Sequence, residues 1–326
     1  MEKKIITLFC LMLIGFTGVL MAQDQKNKQD QTGKIIVLDP SHPDTTIMKP
    51  GARKPPKPPA SHKNASHAKT EELSPKQKEA QGYLKAGFRL AKEKKYDSAI
   101  LEYTKAIHAY ETPGTYVDRG FCYMMQTKYQ LAIEDATKAL SLGPNNNKAL
   151  YVRGASEYQI HDYENAEKDL TACTAVDHRN PAAYNYLAAI KLMKKDYSGA
   201  LDNYTMVIKA DSSFPDVFSN RGMMRHYLQD YKGAITDYNA ALKWNPKNPS
   251  AYNNRGAAKL MLNDYHGALQ DLNKAIELKP SYADAFNNRG RARQYLGDLE
   301  GACKDWNRAF DLGLTESKDL IIKYCK

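Results

Sequence analysis

Along most of the chain apolar residues recur every three or four positions, as in Ala268, Leu269, Leu272, Ala275 and Ile276. That spacing marks an amphipathic helix with one face turned inward. Such segments are separated by the polar turns Lys195-Asp196-Tyr197, Gln229-Asp230-Tyr231 and Asn263-Asp264-Tyr265, and by proline-bearing breaks at Pro144, Pro246 and Pro280. The pattern predicts short helices joined in pairs, and it repeats. Gly120, Gly154, Gly222, Gly256 and Gly290 are spaced by 34 residues or twice that; Ala188 fills the skipped position, and Gly87 leads by 33. Nine residues after each comes Tyr96, Tyr129, Tyr163, Tyr197, Tyr231, Tyr265 or Leu299, and three further on an alanine: Ala99, Ala132, Ala166, Ala200, Ala234, Ala268 or Ala302. Small residues in both helices of a pair let them approach closely. One hairpin cannot bury its apolar face alone, so stacked neighbours must supply the core.

These residues and their spacing resemble the tetratricopeptide repeat, over residues 80–316. The resemblance implies an all-α, right-handed superhelical solenoid of about seven helical hairpins: 80–112, 113–146, 147–180, 181–214, 215–248, 249–282 and 283–316. At its start, Ser74-Pro75-Lys76-Gln77 combines a serine N-cap, proline in the first turn and a glutamine that completes a capping box. At its end, Ser317–Tyr324 is expected to form a capping helix within 317–326, its Leu320, Ile321 and Tyr324 covering the last hairpin.

Seven copies allow a comparison within one chain. Arg119, Arg153, Arg221, Arg255 and Arg289 precede the small residue, and sixteen positions later the same copies carry Asp135, Asp169, Asp237, Asp271 and Asp305. The copies without the arginine have Ala86 with Glu102, and Leu187 with Asn203. This co-occurrence predicts a structural Arg–Asp bridge between the two helices of a hairpin, suited to the guanidinium fork.

The resemblance also implies a concave groove lined by the first helices. Its charges are Lys85, Lys92, Lys148 and Arg291 against Asp118, Asp216 and Asp284, a balance near neutral that argues against a nucleic-acid partner. Instead, Asn220, Asn254 and Asn288 share one repeat position, and Asn185, Asn253 and Asn287 the neighbouring one. A side-chain amide both donates and accepts, so such a row can bind an extended backbone whatever its sequence. It is similar to the asparagine ladder of superhelical tetratricopeptide proteins such as the O-GlcNAc transferase repeat region. Met125, Tyr158, Met193, Tyr227, Met261 and Tyr295 run beside it as apolar and aromatic anchors. The competing reading is that these asparagines bond only their neighbours and that Tyr and Met are core. The carboxylate clamp of the family's co-chaperones finds no match in three consecutive copies, which offer Leu84 and Phe88, then Asp118, then Lys148 with Val152.

Residues 1–22 read as a secretory signal: Lys3 and Lys4, an apolar run Ile5–Leu20, and a cleavage point near Ala22. An uncleaved anchor ranks second, because the run is short of the roughly 20 residues that span a bilayer. Residues 23–73 form a Lys/Pro-rich tether whose Lys54-Pro55-Pro56-Lys57-Pro58-Pro59 favours a solvated polyproline conformation, and 74–326 form the repeat region. Within the tether, Lys34-Ile35-Ile36-Val37-Leu38-Asp39 alone is strand-like. The expected location is therefore the periplasm or the extracellular space. A net charge of +10 divides into +4 over residues 23–79 and +5 over 80–326, so the excess belongs to the tether and outer helix faces. It permits peripheral contact with an anionic envelope.

The chain has no Gly-x-Ser-x-Gly, His-Glu-x-x-His, phosphate-binding glycine loop or Cys-x-x-Cys, so no catalytic residues, metal ligands or cofactors are expected. Cys122 and Cys173 take small packing positions as free thiols, while Cys303 and Cys325 pair only if the capping helix folds back onto the last hairpin. The favoured function is a non-catalytic scaffold that holds an extended protein segment in its groove. The alternatives are a protein acting through its basic N-terminal arm, and an accessory module of a separate enzyme.

Overall fold

The computed structural model describes residues 73–211 and 215–325; the signal, the tether up to residue 72 and the strand-like run at 34–39 lie outside the described residues. Every regular element among the described residues is an α-helix. In chain order they are α1 (Pro75–Lys92), α2 (Tyr96–Ala109), α3 (Pro113–Met125), α4 (Tyr129–Leu142), α5 (Asn147–Gln159), α6 (Tyr163–Val176), α7 (Pro181–Met193) and α8 (Tyr197–Ala210). Then follow α9 (Pro215–Tyr227), α10 (Tyr231–Trp244), α11 (Pro249–Met261), α12 (Tyr265–Leu278), α13 (Ala283–Tyr295), α14 (Leu299–Asp311) and α15 (Ser317–Tyr324). Tertiary contacts divide them into a unit that ends at Ser281 and a unit that begins at Tyr282.

In the first unit each odd-numbered helix packs on the even-numbered helix after it, and each hairpin packs on the next. First helices also touch one another directly: α1 with α3, α3 with α5, α5 with α7, and α9 with α11. They therefore share one face of the stack. The core between them is built from small residues and tyrosines: Ala99, Ala132, Ala166, Ala200, Ala234 and Ala268 are fully buried, and Tyr103 and Tyr238 nearly so. A glycine in each first helix except α7, where Ala188 takes its place, makes this approach possible. A Cβ on Gly222 would stand 2.9 Å from the Tyr238 ring and 3.2 Å from the Ala234 carbonyl oxygen.

Local signals fix the helix ends. Ser74 N donates to Gln77 Oε1 at 2.8 Å and Gln77 N to Ser74 Oγ at 3.3 Å, closing the capping box in front of α1. Asp196, Asp230 and Asp264 cap α8, α10 and α12, each accepting at 2.9 Å from the amide of a glycine three residues on. The turn residue before each second helix adopts a left-handed conformation, with Lys94, Thr127, His161, Lys195, Gln229 and Asn263 at φ between 58° and 67°. That conformation is unfavourable for any residue with a Cβ.

In the second unit α14 packs on both α13 and α15. Trp306 of α14 is fully buried, donates from Nε1 to the Asn287 carbonyl oxygen at 3.3 Å, and lies 5.6 Å from the Tyr324 ring of α15. Cys303 and Cys325 form a disulfide that closes a span of 22 residues, with Cα atoms 5.6 Å apart. Leu320, Ile321 and Tyr324 are half-buried, and Ile322 faces solvent.

Candidate functional site

Each of the five predicted Arg–Asp pairs is present within its hairpin, as a two-pronged contact through Nε and one terminal nitrogen. The distances are 2.8 and 2.8 Å for Arg119–Asp135, 3.0 and 2.6 Å for Arg221–Asp237, and 2.9 and 2.6 Å for Arg255–Asp271. Arg153–Asp169 and, in the second unit, Arg289–Asp305 repeat the geometry. The carboxylates are buried. In four of the five pairs an aromatic ring three residues earlier lies against the guanidinium, as Tyr252 does on Arg255 and Phe286 on Arg289; before Arg153 that position is Leu150.

Two further contacts were not read from the sequence. The remaining guanidinium nitrogen reaches back to the preceding hairpin: Arg119 to Thr104 Oγ1 at 3.0 Å, Arg153 to Thr137 Oγ1 at 3.4 Å, and Arg255 to Asn239 Oδ1 at 2.6 Å. One side chain thus joins three helices. A second cation also meets the same aspartate from four residues further along the first helix: Arg225 on Asp237 at 3.0 Å, Lys259 on Asp271 at 2.8 Å and Arg293 on Asp305 at 2.8 Å. The signal was available, since these residues stand twelve positions before their aspartates. In the third hairpin that position is Glu157, buried beside Asp169 with Arg153 Nε 3.9 Å away. Burial first, then the Asp169 charge, pushes the Glu157 carboxyl up to about 7.

The asparagines fall into two groups. Asn185 and Asn220 are half-buried on the first-helix face. Asn253 and Asn254 are buried, and Asn253 Nδ2 donates to Asn254 Oδ1 at 3.1 Å. In the second unit Asn287 and Asn288 are buried too, and Asn287 Oδ1 accepts from Ser317 Oγ of α15 at 3.3 Å. The expected anchors divide likewise. Tyr158 is buried against Tyr163 and Tyr186, and Tyr227 is stacked 4.4 Å from Tyr197 with rings nearly parallel. Met193, Met261 and Tyr295 are exposed. Between α9 and α11 a cleft of about 50 Å³ opens on the first-helix face, with Asn220 and Asn254 among its walls. Of the predicted residues, these two share a cavity.

Cys122 and Cys173 are buried free thiols, held protonated as burial pushes them up to about 12 and about 11. Among the described residues no group of three or more potential metal ligands occurs, and no helix is long and apolar enough to cross a membrane.

Comparison with known proteins agrees with this arrangement. A TPR repeat profile matches residues 222–263 and a tetratricopeptide repeat profile residues 249–282. Residues 222–282 thus match tetratricopeptide repeats. Among solved structures, the C-terminal part of a TPR repeat-containing protein from Cytophaga hutchinsonii superposes with a TM-score of 0.56 at 21% identity, covering 72% of this chain and 98% of that one. Pseudomonas aeruginosa pilF does so with a TM-score of 0.55 at 15% identity, over 65% of this chain and 97% of its own. At these identities the likeness is one of tetratricopeptide fold. Heat shock protein STI1 of Saccharomyces cerevisiae is 33% identical over 90 residues, 27% of this chain, and a human SGT1 homologue is 34% identical over 70 residues, 21% of this chain. The matched tetratricopeptide stretch spans only 15% and 19% of those two relatives.

Proposed function

We propose that this protein is an exported, non-catalytic scaffold that binds an extended protein segment along the face formed by its first helices. The observation that carries the reading is the pairing of Asn220 and Asn254, one hairpin apart, in the walls of a single cleft on that face. Amides at a repeat spacing offer donors and acceptors in the rhythm of an extended chain, and exposed Met193 and Met261 supply apolar contact on either side in sequence. A solved tetratricopeptide protein with a TM-score of 0.50 and 21% identity is described as having an unusual peptide-binding site. Export rests on the leader-like residues 1–22 and on the Cys303–Cys325 disulfide, which persists in oxidising compartments.

The test places a photo-crosslinking side chain at Met261, and for comparison at exposed Glu277 on α12. Partner segments mapped by mass spectrometry are expected to attach at Met261, and to be lost when Asn220 and Asn254 are both changed to Ala. Equal labelling from both sites, or labelling indifferent to the double change, removes the groove from the explanation.

A further inference from the structure

The first-helix face changes character along the first unit. Around Asn220 and Asn254 it is rich in amides, but over α1 and α3 it is apolar. There Phe88 is 56% exposed, and Leu84, Phe121, Met124 and Met125 are half-buried. Lys92 Nζ stands 5.0 Å from the centre of the Phe88 ring, Lys85 is exposed on the same helix, and Asp118 is half-buried on α3. Phe88 holds the repeat register of Phe121 and of Met223, which lines the cleft on the first-helix face. It is not a packing position left open by the absence of a hairpin before α1. The residues with which later first helices meet the preceding hairpin are buried: Cys122 clusters with Ala99 and Tyr103 of α2, and Ala149 with Ala136 and Ala139 of α4. In α1 those two positions are Arg89 and Gly82, both exposed. The end of the stack is therefore finished with polar and small residues, and the apolar surface is on the groove.

The chain carries a segment that fits this surface in length, charge and reach: Ile35-Ile36-Val37-Leu38, between Lys34 and Asp39 and outside the described residues. Four extended residues cover about 10–13 Å, close to the 8–10 Å between packed helices such as α1 and α3. Asp39 complements Lys85 and Lys92 on α1, and Lys34 complements Asp118 on α3. That pairing sets the direction of the run and brings its C-terminal end to the helix where the tether rejoins the fold. Thirty-four residues separate Asp39 from Leu73, a coil that spans about 30–35 Å, while Phe88 lies about 20 Å along α1 from Pro75. A segment so tethered is present at about millimolar effective concentration, so a contact of about 0.1 mM in trans is formed about nine-tenths of the time. We propose that Ile35–Leu38 lies extended across the exposed apolar surface of α1 and α3, so that the chain occupies part of its own groove and an incoming segment must displace it. The proposal concerns a stretch of the face that excludes Asn220 and Asn254, and it stands or falls separately from their role.

The experiment places p-benzoylphenylalanine at position 88 of the full chain and, for comparison, at Leu101, 63% exposed on α2. A mixture of light and heavy-isotope chains separates links within one molecule from links between two. After irradiation, position 88 is expected to be joined to residues 35–38 of the same molecule, and position 101 is not. The double change Ile36→Asp and Val37→Asp, which lies outside the helical fold and alters both sides of an extended run, should abolish the link. A fluorescein-labelled peptide of residues 31–44 should then bind the double variant about tenfold more tightly than the native chain, whose site is already filled. Links from position 88 to the apolar run 5–20, links between molecules, or equal linking from position 101 overturn the proposal. So does a peptide that binds both chains equally or neither. No link at position 88, with partner capture at Met261 still lost on changing Asn220 and Asn254, overturns self-occupation and leaves the amide cleft in place. The reverse pattern supports self-occupation and removes the cleft.

Discussion

Glu157 breaks the charge pattern of its own protein, and the break has a measurable size. Three other hairpins put Arg225, Lys259 or Arg293 at this position, where each bonds the aspartate twelve residues on. Glu157 instead faces Asp169, with Arg153 the nearest cation and Asp162 a further negative charge. Its carboxyl, 4.5 when free, is raised to about 7 in the folded chain. A raised acid contributes its stability fully below the free value and loses it as pH climbs through the folded value. With those two values, the shifted Glu157 carboxyl lowers stability by under about 1 kcal/mol at pH 5, where it is protonated in the folded chain, and by about 3 kcal/mol at pH 8, where it is ionised. Glu157→Gln keeps the shape and removes the charge. Its stability gain over the native protein, from urea unfolding followed by circular dichroism, should therefore be small at pH 5 and about 2–3 kcal/mol at pH 8. Because repeat arrays can lose cooperativity, hydrogen exchange in α5 and α6 should be read alongside. Glu157→Lys should stabilise at pH 8 at least as well, by restoring the second cation. A gain that does not change between pH 5 and pH 8, or that shrinks as pH rises, refutes the reasoning.

Three further outcomes are expected. Asp271→Ala leaves Arg255 and Lys259 without their buried carboxylate and should cost about 3–5 kcal/mol, seen as a lowered thermal midpoint; an unchanged melt contradicts the bridge. Thr127, β-branched and at φ 59°, should gain about 1 kcal/mol on change to Gly, and more than Asn263→Gly at φ 61°, because asparagine tolerates that conformation; equal gains would discount the strain. Cys303→Ser opens a closed span of 22 residues and should reduce the stability of the C-terminal unit by about 3 kcal/mol, read as faster amide exchange in α15 while α1–α12 keep their protection.

Much of this was legible because the chain is its own alignment. Helix pairing followed from glycine and alanine recurring in one register, and the Arg–Asp pairs from two residues appearing and disappearing together. The third guanidinium prong escaped notice because its acceptor changes type, Thr104 and Thr137 but Asn239, so no residue recurs to mark it. The asparagine rows show a different limit. Adjacent helical residues point about 100° apart, so two neighbouring rows cannot both face one groove squarely. Asn253 turns to Asn254, and Asn287 to Ser317, contacts that depend on side-chain direction and not on spacing. The disulfide was undecidable from sequence for a similar reason: it depends on where α15 folds, and only the 5.6 Å between the Cα atoms of Cys303 and Cys325 settles it.

The two termini of the described chain are fastened by unlike chemistry. At Ser74 the fastening is a pair of exposed hydrogen bonds, which open and close with the first turn of α1. At Cys303 and Cys325 it is covalent. Hairpins that lean only on their neighbours loosen from whichever end gives first. The two ends therefore differ in what a loosened helix can do: α1 is free to swing away once its cap and packing open, whereas α15 stays attached to α14 even when its packing is lost.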